Sequence, residues 1–204
     1  ILYDYEFTRK MIDSEFRPDV FNAVVNEYKP DYVIGNSRLA NQLVDWAISN
    51  QGFMFEYVSV DFALLSNKSK KYPLSTKLFI HPECFEAVPE KELEREYLLA
   101  KKDLPSDSQL TRFLEFAVQY KEAPNKINFL KGLDQKPGSK YTWRNRAIAA
   151  MTLKHGLHNI SSVYFDKIDP QFRSSEVFAR LKSHCDEKNC SVSPEVFFDF
   201  KKSG

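Results

Sequence analysis

The sequence predicts an α/β domain in which a central mixed sheet is flanked by helices and the C-terminal third is mostly helical. Three observations carry that expectation. Residues 1–7, 31–35 and 53–65 are alternating, or β-branched and aromatic, as half-buried and buried strands are. Apolar residues recur at helical spacing between them, and strands alternating with helices favour an α/β layer with some parallel pairing. Beyond residue 90 the spacing is mainly helical.

Each element has a local reason. In residues 1–7 the two-residue strand period puts Asp4 and Glu6 on one face. Pro18 and Asp19 open a short helix that Pro30 closes. Asn36 and Ser37 can cap a helix with Leu39, Leu43, Trp46 and Ala47 on one side, and Gly52 stops it. Residues 67–72 form a basic polar loop, residues 75–80 read as another strand, and His81-Pro82 as a turn. Residues 90–102 have acids first and bases last, the order that suits a helix dipole, so an exposed amphipathic helix is expected. Residues 108–121 form a second helix with Leu110, Phe113, Leu114 and Ala117 inward. Residues 122–140, rich in Pro, Gly, Asn and Lys, read as a basic linker between an α/β core at 1–121 and a helical region at 141–204. That region holds a helix at 141–155 stopped by Gly156, another at 174–188, and a short apolar tail at 196–200.

Composition excludes several function classes. Six glycines fall in no G-x-G-x-x-G or G-x-x-x-x-G-K pattern, which leaves a dinucleotide or P-loop site without its phosphate cradle. A net charge of +1 means that nucleic-acid binding must rest on local clustering. Three cysteines and no signal-peptide pattern favour an intracellular compartment, cytoplasmic or nuclear, and no membrane partner is expected. The opening Ile1 suggests an excised domain. Seventeen Phe and ten Tyr exceed what a small core absorbs, so exposed aromatics forming a protein-partner or homodimer patch are a second expectation.

Three constellations could carry chemistry. Asp4 and Glu6, with Asp61, could share a divalent metal, Mg or Mn, as metal-dependent nucleases do; the alternative is that the strand pair simply faces solvent. His81-x-x-Cys84 and His155-x-x-His158 together offer four ligands for a structural zinc, with His184, Cys185 and Cys190 a looser group. The alternative is a turn histidine, a buried thiol and two histidines around a helix end. The third constellation is electrostatic. Lys68, Lys70, Lys71 and Tyr72 lie in one loop, and Lys126, Lys131, Lys136, Lys140, Tyr141, Trp143, Arg144 and Arg146 in and after the linker. Cations neutralise phosphates and interleaved aromatics stack on bases, a combination suited to single strands of RNA or DNA; the alternative places Tyr141 and Trp143 in the core.

A family resemblance adds to this. Asp4-Tyr5-Glu6-Phe7-Thr8 resembles the first motif of the DEDD 3′–5′ exonucleases, the DnaQ-like branch of the RNase H-like fold. Residues 32–41 with Leu43, Trp46, Ala47, Gly52 and 60–64 resemble the second motif block, and residues 141–147 stand where the third would lie. The second carboxylate of that family would fall at Asn41 and the third at Asn145 or Arg146, none of which replaces a metal-binding carboxylate. The resemblance therefore implies a degenerate, non-catalytic or weakly catalytic exonuclease-like domain that binds RNA or single-stranded DNA. Residues 144–169 are also similar to the helix pair that opens a tyrosine-recombinase catalytic domain, but His158 stands at that family's arginine position and too little chain follows. Those residues read as an ordinary amphipathic helix pair.

Overall fold

The computed structural model describes residues 18–36, 42–79, 82–133, 137–138 and 140–168. The expected strand at 1–7, the helix at 174–188 and the apolar tail at 196–200 lie outside these residues.

Helix α1 (Pro18–Tyr28) begins at a proline, whose fixed φ suits a first turn, and ends where Lys29 turns to φ 42 before Pro30. Strand β1 (Tyr32–Asn36) leads to α2 (Gln42–Gln51). Gly52 at φ +68 ends α2, a left-handed position that costs any residue with a Cβ. Asn22 ties α1 to α2, its Oδ1 accepting from Trp46 Nε1 at 3.2 Å and Gln51 Nε2 at 2.9 Å.

The single strand expected at 53–65 is a hairpin, β2 (Met54–Val58) and β3 (Phe62–Ser66). Ser59 closes it: its hydroxyl oxygen accepts from the backbone N–H groups of Asp61 and Phe62 at 3.2 and 3.0 Å. A hairpin this tight pairs its strands antiparallel. β1 also pairs antiparallel with β3, so the described residues form a three-stranded sheet of order β1-β3-β2 whose two pairings are both antiparallel, where a mixed sheet was expected. The crossover β1-α2-β2 does make two parallel strands. They are not neighbours, because β3 inserts between them and takes both sets of hydrogen bonds.

The expected strand at 75–80 is instead helix α3 (Pro73–Leu78). Two interactions hold it helical. Glu96 reaches across to accept from Leu74 N at 3.1 Å and Ser75 N at 2.8 Å, satisfying donors that a helix start leaves orphaned. Thr76 Oγ1 donates to Tyr72 O at 2.7 Å and accepts from Phe55 N at 3.1 Å, stitching the first turn to β2. A 3-10 helix (Pro82–Ala87) follows.

Helices α4 (Glu90–Asp103) and α5 (Gln109–Glu122) form a hairpin close to the expected positions, with Ser108 capping α5 by accepting from Thr111 N at 3.0 Å. The stretch read as a linker carries a further helix, α6 (Lys126–Lys131), capped by Asn125, whose Oδ1 accepts from Asn128 N at 2.9 Å. Helix α7 (Thr142–Lys154) ends at Gly156, φ +69, where Gly156 N bonds Leu153 O and Leu157 N bonds Thr152 O, the paired bonds of a Schellman stop. Helix α8 (His158–Phe165) folds back on it, with Ser161 Oγ donating to Ala149 O at 2.8 Å.

One core joins the sheet to the helices. The buried cluster runs from Val33 to Ile168 and includes the inward sheet residues Phe55, Val58, Ala63 and Leu65. Trp143 lies among rings from three other elements or their flanks: Phe79 at 5.0 Å, Phe55 at 5.5 Å and Phe113 at 6.5 Å between centroids. Helix α7 is thus interior, buried on nearly every side. Much of the aromatic excess noted in the sequence is spent here, in Phe53, Phe55, Phe79, Phe85, Phe113 and Phe116.

Candidate nucleic-acid interface

The basic loop after β3 is folded tightly by serine hydroxyls. Lys68 N donates to Ser66 Oγ at 3.1 Å, Lys71 N to Ser69 Oγ at 3.2 Å, and Ser69 Oγ to Phe55 O at 3.1 Å. Lys68 is thrown outward and bonds Asp31 at 2.6 Å, a contact that raises its pKa; with both partners in water the pair is screened and weak. Lys70 is exposed and makes no ion pair among the described residues. Lys71 reaches Asp103 at 3.2 Å. Tyr72 corrects the sequence expectation. It is fully buried, and burial, followed by the charges of Asp103 and Glu96, raises its phenol pKa, so its ring offers no face to a base.

The second basic segment is corrected more heavily. Trp143 is core, as above. Arg146 is 4% exposed and its Nη2 bridges both carboxylate oxygens of Glu83, itself 2% exposed, at 3.0 and 3.1 Å. It cannot meet a phosphate without abandoning a buried carboxylate. Asn145 is buried, its amide donating to Gly138 O at 3.0 Å. Arg144 is half-buried. Lys140 is exposed, 3.6 Å from Asp107 and over the Tyr141 ring at 4.9 Å. Lys126 caps the end of α5, donating to Lys121 O and Ala123 O, while Lys131 is exposed and Lys136 lies outside the described residues. Both basic segments send a lysine to the α4–α5 corner, where Asp103 and Asp107 compensate it.

The metal hypotheses find less to build on. Asp4, Glu6, Asn41, His81, His184, Cys185 and Cys190 lie outside the described residues, and Asp61 sits in the exposed β2–β3 turn. Among the described residues no three His, Cys, Asp or Glu side chains are gathered to hold a metal, so Cys84, His155 and His158 do not form one group. Burial, then Glu83, pushes the Cys84 thiol up to about 12, which leaves it unreactive at neutral pH. His155 belongs to a polar cluster that its spacing does not signal. Tyr120 Oη lies 3.1 Å from Glu86 Oε1 and 3.0 Å from His155 Nε2, and Lys154 bonds Glu86 Oε2 at 2.6 Å. An ionised Glu86 only accepts, so Tyr120 donates to it and His155 donates through Nε2–H. Burial and then Lys154 lower the His155 pKa.

Among the described residues, the outer face of the sheet stays uncovered. Strand alternation turns Tyr32 and Ile34 of β1 and Phe62 of β3 outward, with the half-buried Leu64 and Met54 on the same side and Tyr57 of β2 half-buried and packed in part against the core, a bulge at Glu56 shifting the phase of β2. Tyr32, Ile34 and Phe62 are 59%, 65% and 43% exposed. Tyr57 and Phe62 stack at 5.7 Å between centroids. Lys68 stands at the edge where β1 begins, held by Asp31 beside Tyr32. The sequence signal of this face is the period of two in residues 32–35 and 62–65.

No protein-family profile, curated protein or solved structure matches the chain. Among the described residues no helix is long and apolar enough to cross a membrane.

Proposed function

We propose that this domain is a non-catalytic module that binds single-stranded RNA or DNA across the outer face of its sheet. The observation that carries the reading is the pair of exposed rings Tyr32 and Phe62 at the two ends of the β1–β3 pairing, with the half-buried Tyr57 stacked on Phe62 and Lys68 beside Tyr32. Flat rings on a rigid sheet give bases a stacking surface, and a neighbouring ammonium gives the backbone a counter-charge. The exonuclease resemblance agrees with the non-catalytic half: its third carboxylate position falls on Asn145 or Arg146, both buried and both committed to structural partners.

The test is anisotropy of a labelled single-stranded RNA 20-mer titrated with the protein in the presence of manganese. A stable rise supports binding without turnover, and Tyr32→Ala/Phe62→Ala is expected to weaken it at least tenfold, since each stacked base is worth about 1–3 kcal/mol. Loss of signal over time would mean cleavage and return Asp4, Glu6 and Asp61 to consideration.

A second reading uses the same face for a protein partner or a second copy of the chain. Ile34, the most exposed of its large apolar residues, favours it, because an aliphatic side chain offers no stacking surface. A salt-insensitive dimer in sedimentation that Ile34→Glu abolishes, without nucleic-acid binding, would select it.

A further inference from the structure

Behind the basic loop, Lys70, Lys71 and Pro73 face helix α4 across an open cleft of about 590 Å³. The α4 wall is one helical stripe. Arg95, Leu98, Leu99 and Lys102 stand at i, i+3, i+4 and i+7, so two cations bracket an apolar strip on the same face. Leu98 is exposed, and together with Pro73 and Leu99 it gives the cleft an apolar floor.

The charge around this floor is strongly one-sided. Among the described residues Lys70, Arg95 and Lys102 make no ion pair, Lys71 is paired with Asp103 at 3.2 Å, and Arg95 lies within electrostatic reach of Glu96. Glu96 also lines the cleft, but its two oxygens are taken by Leu74 N and Ser75 N at the start of α3. Burial raises its pKa, and the hydrogen bonds spread its charge into the α3 backbone. Its carboxylate is thus a brace for the loop wall and not a free repelling group.

We infer that this cleft is a phosphate subsite, holding one or two phosphodiester groups of a single strand while its apolar floor takes the adjoining sugar or base. The inference rests on the nucleic-acid reading and extends it. Lys68 and Lys70 belong to one loop, which leads from the edge of the aromatic face to the cleft, so a single strand has stacking rings at one end of its track and cations at the other. Arg95 supplies the planar, forked donor that matches two phosphate oxygens, and the lysines act as point charges.

The experiment is the same 20-mer titration repeated across salt concentrations with wild type, Arg95→Gln/Lys102→Gln, Lys70→Gln/Lys102→Gln and Tyr32→Ala/Phe62→Ala. Each lost phosphate contact lowers the single-strand salt slope by about 0.7, so either cleft variant is expected to lower it by about 1.4 and to weaken binding about tenfold or more in low salt. The sheet variant is expected to weaken binding with the slope intact. All the cleft side chains replaced are exposed or half-buried, so thermal melts should coincide with wild type. A wild-type slope in both cleft variants, with the sheet variant still weakened, overturns the subsite and leaves the sheet reading standing. Absence of wild-type binding overturns both.

Discussion

Residues 67–72 and 140–146 each carry three cations, beside Tyr72 in the first and Tyr141 and Trp143 in the second, yet the fold uses them in opposite ways. The first is a loop whose backbone is pinned by serines and whose lysines Lys68 and Lys70 are left in water. The second is the first turn of the most deeply buried helix, so Trp143 becomes a centre of the core and Arg146 a buried clamp on Glu83. A cation next to an aromatic residue therefore marks a binding surface only when the backbone leaves both outside. Of the exposed aromatic rings among the described residues, Tyr28 ends α1, while Tyr32 and Phe62 sit on the sheet, where alternation of side chains decides exposure.

The largest expected effects sharpen this contrast. Trp143→Ala should cost about 3–5 kcal/mol in urea unfolding, the usual range for deleting a large buried aromatic, while Lys68→Ala and Lys70→Ala should fall within about 0.5 kcal/mol of wild type. Arg146→Ala should cost about 3–5 kcal/mol because the buried Glu83 carboxylate then loses the guanidinium that bridges both its oxygens. Replacing both partners with apolar residues, Arg146→Met/Glu83→Leu, should recover most of that loss; a double variant as unstable as the single one would break the clamp interpretation.

A smaller effect is expected at the α3 cap. Glu96→Ala strands two backbone donors at a buried helix start and should cost about 1–3 kcal/mol. Unfolding should begin in the cleft wall, read as faster amide exchange at Leu74 and Ser75 than in α7. The smallest effect is in pH. The folded His155 pKa lies below its ordinary value, so the folded state disfavours the charged ring; its contribution is complete above about pH 6.5 and is lost as pH falls through that value toward the lowered one. His155→Gln should flatten the fall in melting temperature between pH 7 and 5, and an unchanged slope would count against the Tyr120 arrangement.

Much of the fold was legible because its signals are local. Gly52 and Gly156 stop their helices, the helical spacing of Leu110, Phe113, Leu114 and Ala117 gives α5, and the acid-to-base order of residues 90–102 gives α4. The misreadings come from partners distant in sequence. Residues 75–80 look like a strand until Glu96, 21 residues on from Ser75, supplies the helix start with its acceptor. Arg146 looks like a phosphate ligand until Glu83 claims it across 63 residues. The parallel strands implied by strand-helix-strand order exist, but β3 arrives later in the chain and separates them. Of the site, the loop lysines were legible as a cluster; the sheet face was not, because residues 53–65 read as one strand until the hairpin at Ser59 splits them, and the Arg95 and Lys102 side of the cleft needed the packing of α4 against that loop.

Ultraviolet crosslinking of 4-thiouridine RNA to the protein, followed by peptide mapping, tests the central contrast most directly. Adducts on the peptides carrying Tyr32, Tyr57 or Phe62, and none on the peptide carrying Trp143, are predicted. Adducts concentrated on the Trp143 peptide, or no adducts on the sheet peptides at saturating RNA, would contradict the proposal that the open sheet face is where a strand binds.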